Sequence, residues 1–240
     1  MKKYELTSET KVIDGVELHR IKALKSFGSV EKGELGGWIE SEKNLSQYGD
    51  AWVGDNATVG GNAKVYDNAT VGDNATVGGN AKVYDNATVC GNAKVSGYAT
   101  VCRNAWVGGN ATISGYAKVG GDATVGGNAT IEDNAEVCGN ATIYGNAKVF
   151  GYAMISGYAM INENAKVSKT ADYIVFKNWW SSGRYFTWTR SNNKWTVGCF
   201  YGSGEELIAK AYKDSEKSGR EYERVVKYVE SILQEENNNK

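Results

Sequence analysis

Proline is absent from this 240-residue chain, and histidine occurs once, at His19. A chain without proline suits hydrogen-bonded strands and helices, because proline has no backbone N–H to donate. A lone histidine excludes, within one chain, metal centres that need several imidazole ligands, and no metal site is expected. The four cysteines, Cys90, Cys102, Cys138 and Cys199, make no Cys-x-x-Cys pair. They read as free thiols of a reducing compartment. No stretch nears the run of about eighteen apolar residues that crosses a membrane. The start, Met1-Lys2-Lys3-Tyr4-Glu5-Leu6, lacks the apolar core of a secretory signal, so a cytoplasmic location is expected. The formal net charge of −1 gives no basic footprint for duplex nucleic acid or an acidic membrane.

What is present is a repeat. From Ala51 the chain reads Ala-Trp-Val-Gly-Asp-Asn, Ala-Thr-Val-Gly-Gly-Asn, Ala-Lys-Val-Tyr-Asp-Asn, and the register holds through Thr170 as twenty uninterrupted hexads. Leu45 to Asp50 fits as a degenerate first hexad, and Ile39 to Asn44 suits another. Each hexad opens on Ala, a variable residue, then Val or Ile. Alternation along a strand places Ala and Val on one face and the variable residue on the other. The next three positions hold mostly Gly, Asp, Asn, Ser or Tyr; most are turn formers, and Gly and Asn tolerate positive φ. Each hexad therefore reads as a short strand plus a corner, and a fixed short period marks a solenoid.

Val59-Gly60-Gly61-Asn62-Ala63-Lys64 and most other hexads match one motif: an aliphatic residue, a small or acidic one, two free positions, a small residue and a free one. In this the chain resembles the hexapeptide-repeat family over about half its length. The resemblance implies a mainly β fold, a left-handed parallel β-helix of about seven triangular coils, eighteen residues each. At about 4.8 Å per strand the prism would stand roughly 30 Å tall. It also implies a homotrimer. With three hexads per coil, every third outward residue stacks in one column. One column reads Trp52, Thr70, Thr88, Trp106, Thr124, Thr142, Met160 and carries no charge. Interface cores favour aromatics and Met over charge, so Trp52, Trp106 and Met160 are the expected oligomer contacts. A corner column holds Tyr98, Tyr116, Asn134 and Tyr152, where stacked rings would either stabilise the stack or form a groove for an aromatic ligand.

Three regions follow: a cap over 1–44, the β-helix over 45–170, and a small α+β domain over 171–240. In the cap, Val12-Ile13 and Val16 to Ile21 flank Asp14-Gly15 as a hairpin, and Leu35 to Ile39 reads as a turn into the first coil. In the last region, strands are expected at Ile174–Phe176, Tyr185–Arg190 and Lys194–Phe200, then helices over about 204–216 and 219–234, with a frayed tail from Asn237 to Lys240.

Hexapeptide-repeat acyltransferases use a histidine base, often near a loop extruded from a coil. Here no hexad contains histidine and no loop interrupts the repeat. No catalytic residue or cofactor is expected, and His19 reads as a structural cap residue. The richer chemistry lies in Trp179-Trp180-Ser181-Ser182-Gly183-Arg184-Tyr185. Indoles stack on bases and arginine pairs with phosphate. Alternation puts Arg184, Phe186, Trp188 and Arg190 on one strand face, and Ser203-Gly204 opens a helix whose N-terminus would hold an anion. Glu205 and Glu206 in that first turn weigh against the anion. The expected ligand contacts are Trp179, Trp180, Arg184, Tyr185, Trp188, Arg190, Ser203 and Gly204. Leu18 to Leu24, Gly33 to Glu40 and Asn44-Leu45-Ser46 resemble hexapeptide-repeat proteins of phages and prophages, often labelled transferases from fold alone. The reading is a non-enzymatic homotrimer binding a small nucleotide-like ligand, in its most concrete form a phage counter-defence protein that sequesters a host immune signal. The alternatives are an acyltransferase using CoA at a subunit junction, and a scaffold presenting the last domain to a protein partner.

Overall fold

The computed structural model describes residues 2–238. Twenty two-residue strands, β4 (Trp52–Val53) through β23 (Lys166–Val167), start every six residues, as the hexads predict. They stack in parallel with partners eighteen residues apart, as in Thr88↔Trp106 and Lys94↔Thr112. The result is a left-handed parallel β-helix with three walls of seven, seven and six strands. The wall built on Trp52 is the uncharged column, intact from Trp52 to Met160. Every Ala and every Val or Ile of the hexads points inward and is buried, so a single file of aliphatic residues along each wall fills the prism.

The corners divide the work differently from the expectation. Positive φ falls on the fifth hexad position, where Gly, Asp, Arg or Glu stands, from Asp55 (φ 52°) to Gly121 (φ 69°). Asn at the sixth position does not take that conformation. On many coils its carboxamide instead donates to the Asn one coil further on, and Asn92, Asn110, Asn128, Asn146 and Asn164 form one such ladder with links of 3.0, 2.9, 3.0 and 3.4 Å.

The N-terminal end is built from β1 (Tyr4–Ile13), β2 (Val16–Ala23) and β3 (Leu35–Ile39). β1 and β2 form an antiparallel hairpin turning at Asp14 and Gly15, both at positive φ. Leu35 to Ile39 is a strand, not a turn. It pairs antiparallel with β2 and parallel with β5 (Thr58–Val59), converting a hairpin sheet into a solenoid wall. Gly36-Gly37 serves close approach: a Cβ on Gly36 would lie 2.5 Å from the Trp52 ring, and one on Gly37 2.6 Å from the Ala57 carbonyl. Stacking begins at Ile39, which lies over Val59, and Leu45 lies over Val65. Both pairs are twenty residues apart rather than eighteen. Leu45 therefore takes the aliphatic position, not the Ala position of a degenerate hexad. Asn44 closes this end, its buried carboxamide donating to Gly61 O (3.0 Å) and Ala63 O (2.9 Å).

At the other end a 3-10 turn (Thr170–Asp172) leads into an antiparallel meander: β24 (Tyr173–Lys177), β25 (Tyr185–Thr189), β26 (Lys194–Val197) and β27 (Phe200–Gly202). The expected strand Lys194–Phe200 is thus two strands, because the chain reverses at Gly198 with φ 58°. Helices α1 (Gly204–Asp214) and α2 (Glu216–Asn238) cover one face. The α2 bounds run past the predicted ones at both ends, and Asn239 and Lys240 of the expected frayed tail lie outside the described residues. The other face of β25 meets the last coils: Met160 N–H donates to Thr187 Oγ1 (2.9 Å), and Tyr185 stacks on Tyr158 at 4.4 Å. Each end of the solenoid is thereby closed by a sheet, which keeps its strand edges from pairing with other chains. Among the described residues no helix is long and apolar enough to cross a membrane.

Asp172 fastens the junction. Its carboxylate accepts from Ser168 N–H (2.8 Å), Ser168 Oγ–H (2.8 Å) and Lys169 N–H (3.1 Å). Burial pushes the carboxyl up, but these hydrogen bonds outweigh it and hold it below the usual carboxylate range. A folded value below the unfolded one gives stability that is complete at neutral pH and lost as pH falls through the folded value. Asp172→Asn is expected to cost about 1–3 kcal/mol at neutral pH. In denaturant melts its deficit from wild type should shrink as both proteins are taken below the carboxylate range. An unchanged deficit would assign the effect to shape rather than charge.

Candidate functional site

A cavity of about 300 Å³ in the C-terminal domain opens between the 178–184 loop, the Gly198-Cys199 turn and helices α1 and α2. Asn178, buried at the end of β24, organises the loop. Its N–H donates to Arg184 O (2.7 Å), its Oδ1 accepts from Ser181 N–H and Oγ–H (3.0 Å each), and its Nδ2 donates to Tyr222 OH (3.1 Å). Burial raises the Tyr222 phenol above its ordinary value, against the Asn178 hydrogen bond, so it stays neutral at physiological pH. Ser181, Ser182 and Arg184 of the loop face Lys210 and Asp214 of α1 across this cavity, with Val197, Phe200 and Leu207 as its apolar wall. Lys210 Nζ lies 5.4 Å from the Phe200 ring centroid. None of Arg184, Lys210 and Asp214 closes an ion pair among the described residues. Arg184 also borders a second cavity, about 340 Å³, between this domain and the solenoid, where Tyr158, Tyr185 and Met160 form the wall.

Of the residues expected to contact a ligand, Arg184 lines the cavity and Trp179 is exposed on the loop (72%), outside the cavity lining. Tyr185 lines only the second cavity. Trp180 (8% exposed) and Trp188 (1%) are core residues, because both faces of the meander are covered, one by helices and one by coils. Trp180 meets Tyr222 edge to face, and Trp188 donates its indole N–H to Asn193 Oδ1 (2.8 Å). Arg190 is engaged by the Glu236 carboxylate and the Ala171 carbonyl. Ser203 and Gly204 are closed to an anion as well: Ser203 Oγ caps the Glu206 N–H, and the Glu206 carboxylate occupies the Ser203 N–H at 2.6 Å. Lys210 and Asp214 escaped the sequence reading. Their signal was helical spacing, three and seven residues after the buried Leu207, which puts them on the same face of α1.

The expected oligomer contacts fare unevenly. Trp52 is roofed by the chain itself, edge to face with Phe27 at 5.5 Å and against Gly36, and is 5% exposed. Met160 is half-buried under β25. Of the three, Trp106 alone is exposed, its indole packed over Gly108, where a Cβ would meet it at 2.2 Å.

The pattern described as "Bacterial transferase hexapeptide (six repeats)" matches residues 50–85. That match falls on coils whose stacking is continuous to Val167. Its stacked coils, Trp52 to Val167, are a hexapeptide-repeat parallel β-helix. No curated protein gives a significant match to it. In this hexapeptide-repeat protein His19 sits on β2 opposite Thr10 and Ile39, at the other end of the solenoid from Arg184. Among the described residues no cluster of three or more His, Cys, Asp or Glu side chains is placed to hold a metal ion.

Proposed function

We propose that this protein binds a small nucleotide-like ligand in the C-terminal cavity and acts by holding it rather than converting it, with the β-helix as the platform of a homotrimer. One observation carries the reading. Two cations, Arg184 and Lys210, line one cavity beside the hydroxyls of Ser181 and Ser182, and neither closes an ion pair among the described residues, although the Asp214 carboxylate shares the lining. That set suits a phosphate, which arginine can engage with two parallel hydrogen bonds. Phe200 and Val197 supply an apolar wall for a ring, and Asp214 is placed to accept from a sugar hydroxyl. Sequestration of a nucleotide immune signal by a phage-encoded trimer remains the most specific form of this proposal.

Calorimetric titration with nucleoside mono- and diphosphates and cyclic dinucleotides tests it. A saturable site is expected, and Arg184→Ala should weaken it about 10–100-fold, the worth of one charge-assisted contact. Ligand released by denaturation should be chemically unchanged. Recovery of a converted product would sink the binding reading, and acetyl-CoA turnover that vanishes in His19→Ala would put the acyltransferase in its place. Native mass spectrometry gives the oligomeric state in the same samples.

A further inference from the structure

The tyrosine corner has a gap of one ring. Residues 98, 116, 134 and 152 are successive rungs, one per coil, on the edge between two walls. Tyr98 and Tyr116 stack with centroids 5.0 Å apart and planes 7° apart. The next rung is Asn134 and the one after it is Tyr152, which is 83% exposed and stacks on no ring among the described residues. A planar group over Asn134 would have Tyr116 one coil away on one side and Tyr152 one coil away on the other. It would repeat the spacing that Tyr98 and Tyr116 already keep. The tyrosine stack at another corner, Tyr66 on Tyr84 at 4.9 Å, runs on to Cys102 and Gly120, so no ring closes its far side.

The floor and rim of the gap have a definite chemistry. The Asn134 carboxamide makes no hydrogen bond among the described residues, unlike the laddered asparagines at the other corners, and its donor and acceptor are free on an exposed rung. The same rung carries Glu132, Asp133 and Glu136 and no cation. Asp133 accepts from Gly151 N–H (3.0 Å). Neither Glu132 nor Glu136 closes an ion pair among the described residues. Lys118 and Lys148 stand one rung to either side, Lys118 opposite Glu136 in the strand register. Negative aromatic faces on two sides and carboxylates on the rung favour a positively charged ring over a neutral or anionic one.

We infer that the Tyr116–Asn134–Tyr152 gap is a second binding site, independent of the C-terminal cavity, for a small planar heteroaromatic cation. The test uses the full chain and three single-ring probes that differ in charge: 1-methylnicotinamide (cation), nicotinamide (neutral) and nicotinate (anion). NMR titration reads binding as upfield ring-current shifts of the probe protons. The cation should bind about tenfold more tightly than the neutral amide, and the anion least. Asn134→Tyr should fill the gap with the missing ring, abolish the shifts and leave the protein folded. Tyr152→Ala, at an exposed position, should weaken the cation about tenfold. Tyr48→Ala, an exposed tyrosine off the ladder, should change nothing. Absence of shifts in the wild type, a reversed charge order, or full binding by Asn134→Tyr would each overturn the assignment. So would tighter binding of the peptide Gly-Arg-Gly than of the cation, which would make the occupant a protein side chain.

Discussion

Ile131→Ala is expected to destabilise the β-helix by about 3 kcal/mol, while Thr130→Ala, one residue away on the same strand, should stay within about 0.5 kcal/mol. Ile131 is fully buried in β17 (Thr130–Ile131), between Ile113 on one coil and Val149 on the next. Its side chain is one link in a single file of aliphatic residues, so no second layer exists to move into the void. The wall cannot close in either, because Thr130 N–H and Glu132 N–H on that strand bond to Ala147 O (2.9 Å) and Val149 O (3.0 Å) of the next coil. A cavity that cannot collapse costs the transfer term plus most of the cavity term. Coils contact only their neighbours, so the loss falls on two interfaces in mid-stack. Guanidinium melts should show Ile131→Ala unfolding earlier and with a broader transition. A loss under about 1 kcal/mol would mean that the coils repack, contrary to the rigid-ladder argument.

How far the sequence disclosed the structure follows from the range of the forces involved. The hexad register was legible because each strand's burial is decided by its own Ala and Val or Ile. The outward columns followed by counting to eighteen. Leu35 to Ile39 was misread because Gly-Gly has two uses, reversal and close approach, and only the position of Trp52 and Ala57 selects the second. The offset of Leu45 over Val65 was invisible because an aliphatic residue fits either hexad position in the sequence. The roofing of Trp52 depended on where a distant segment, Phe27 to Gly36, would fold. In the C-terminal domain the loop holding Arg184 was found from its density of aromatic, hydroxyl and guanidinium groups. Alternation put Trp188 and Phe186 on one face correctly, but whether that face met solvent or helices was a tertiary matter. Lys210 and Asp214 came from an element read only for its length.

That distinction between a face and its covering makes Trp188→Ala the sharpest test of the site. Trp188 has the composition of a ligand contact and the position of a core residue: 1% exposed, its indole N–H held by Asn193 and the Arg190 guanidinium 5.6 Å from its ring. Truncation should cost the C-terminal domain about 3–5 kcal/mol. Arg184 would then lose its place against Lys210, since the loop and α1 are oriented by the core that Trp188, Phe186 and Trp195 form. Nucleotide binding should vanish together with domain stability. The solenoid, whose aliphatic file forms a separate cluster, should keep its own transition. Trp179→Ala, truncating a ring that is 72% exposed, should leave stability within about 0.5 kcal/mol. Two-stage melts of the two variants separate the cases. If Trp188→Ala left the melt intact and abolished ligand binding alone, the indole would have to touch the ligand. The meander would then have to open away from its helices to admit it.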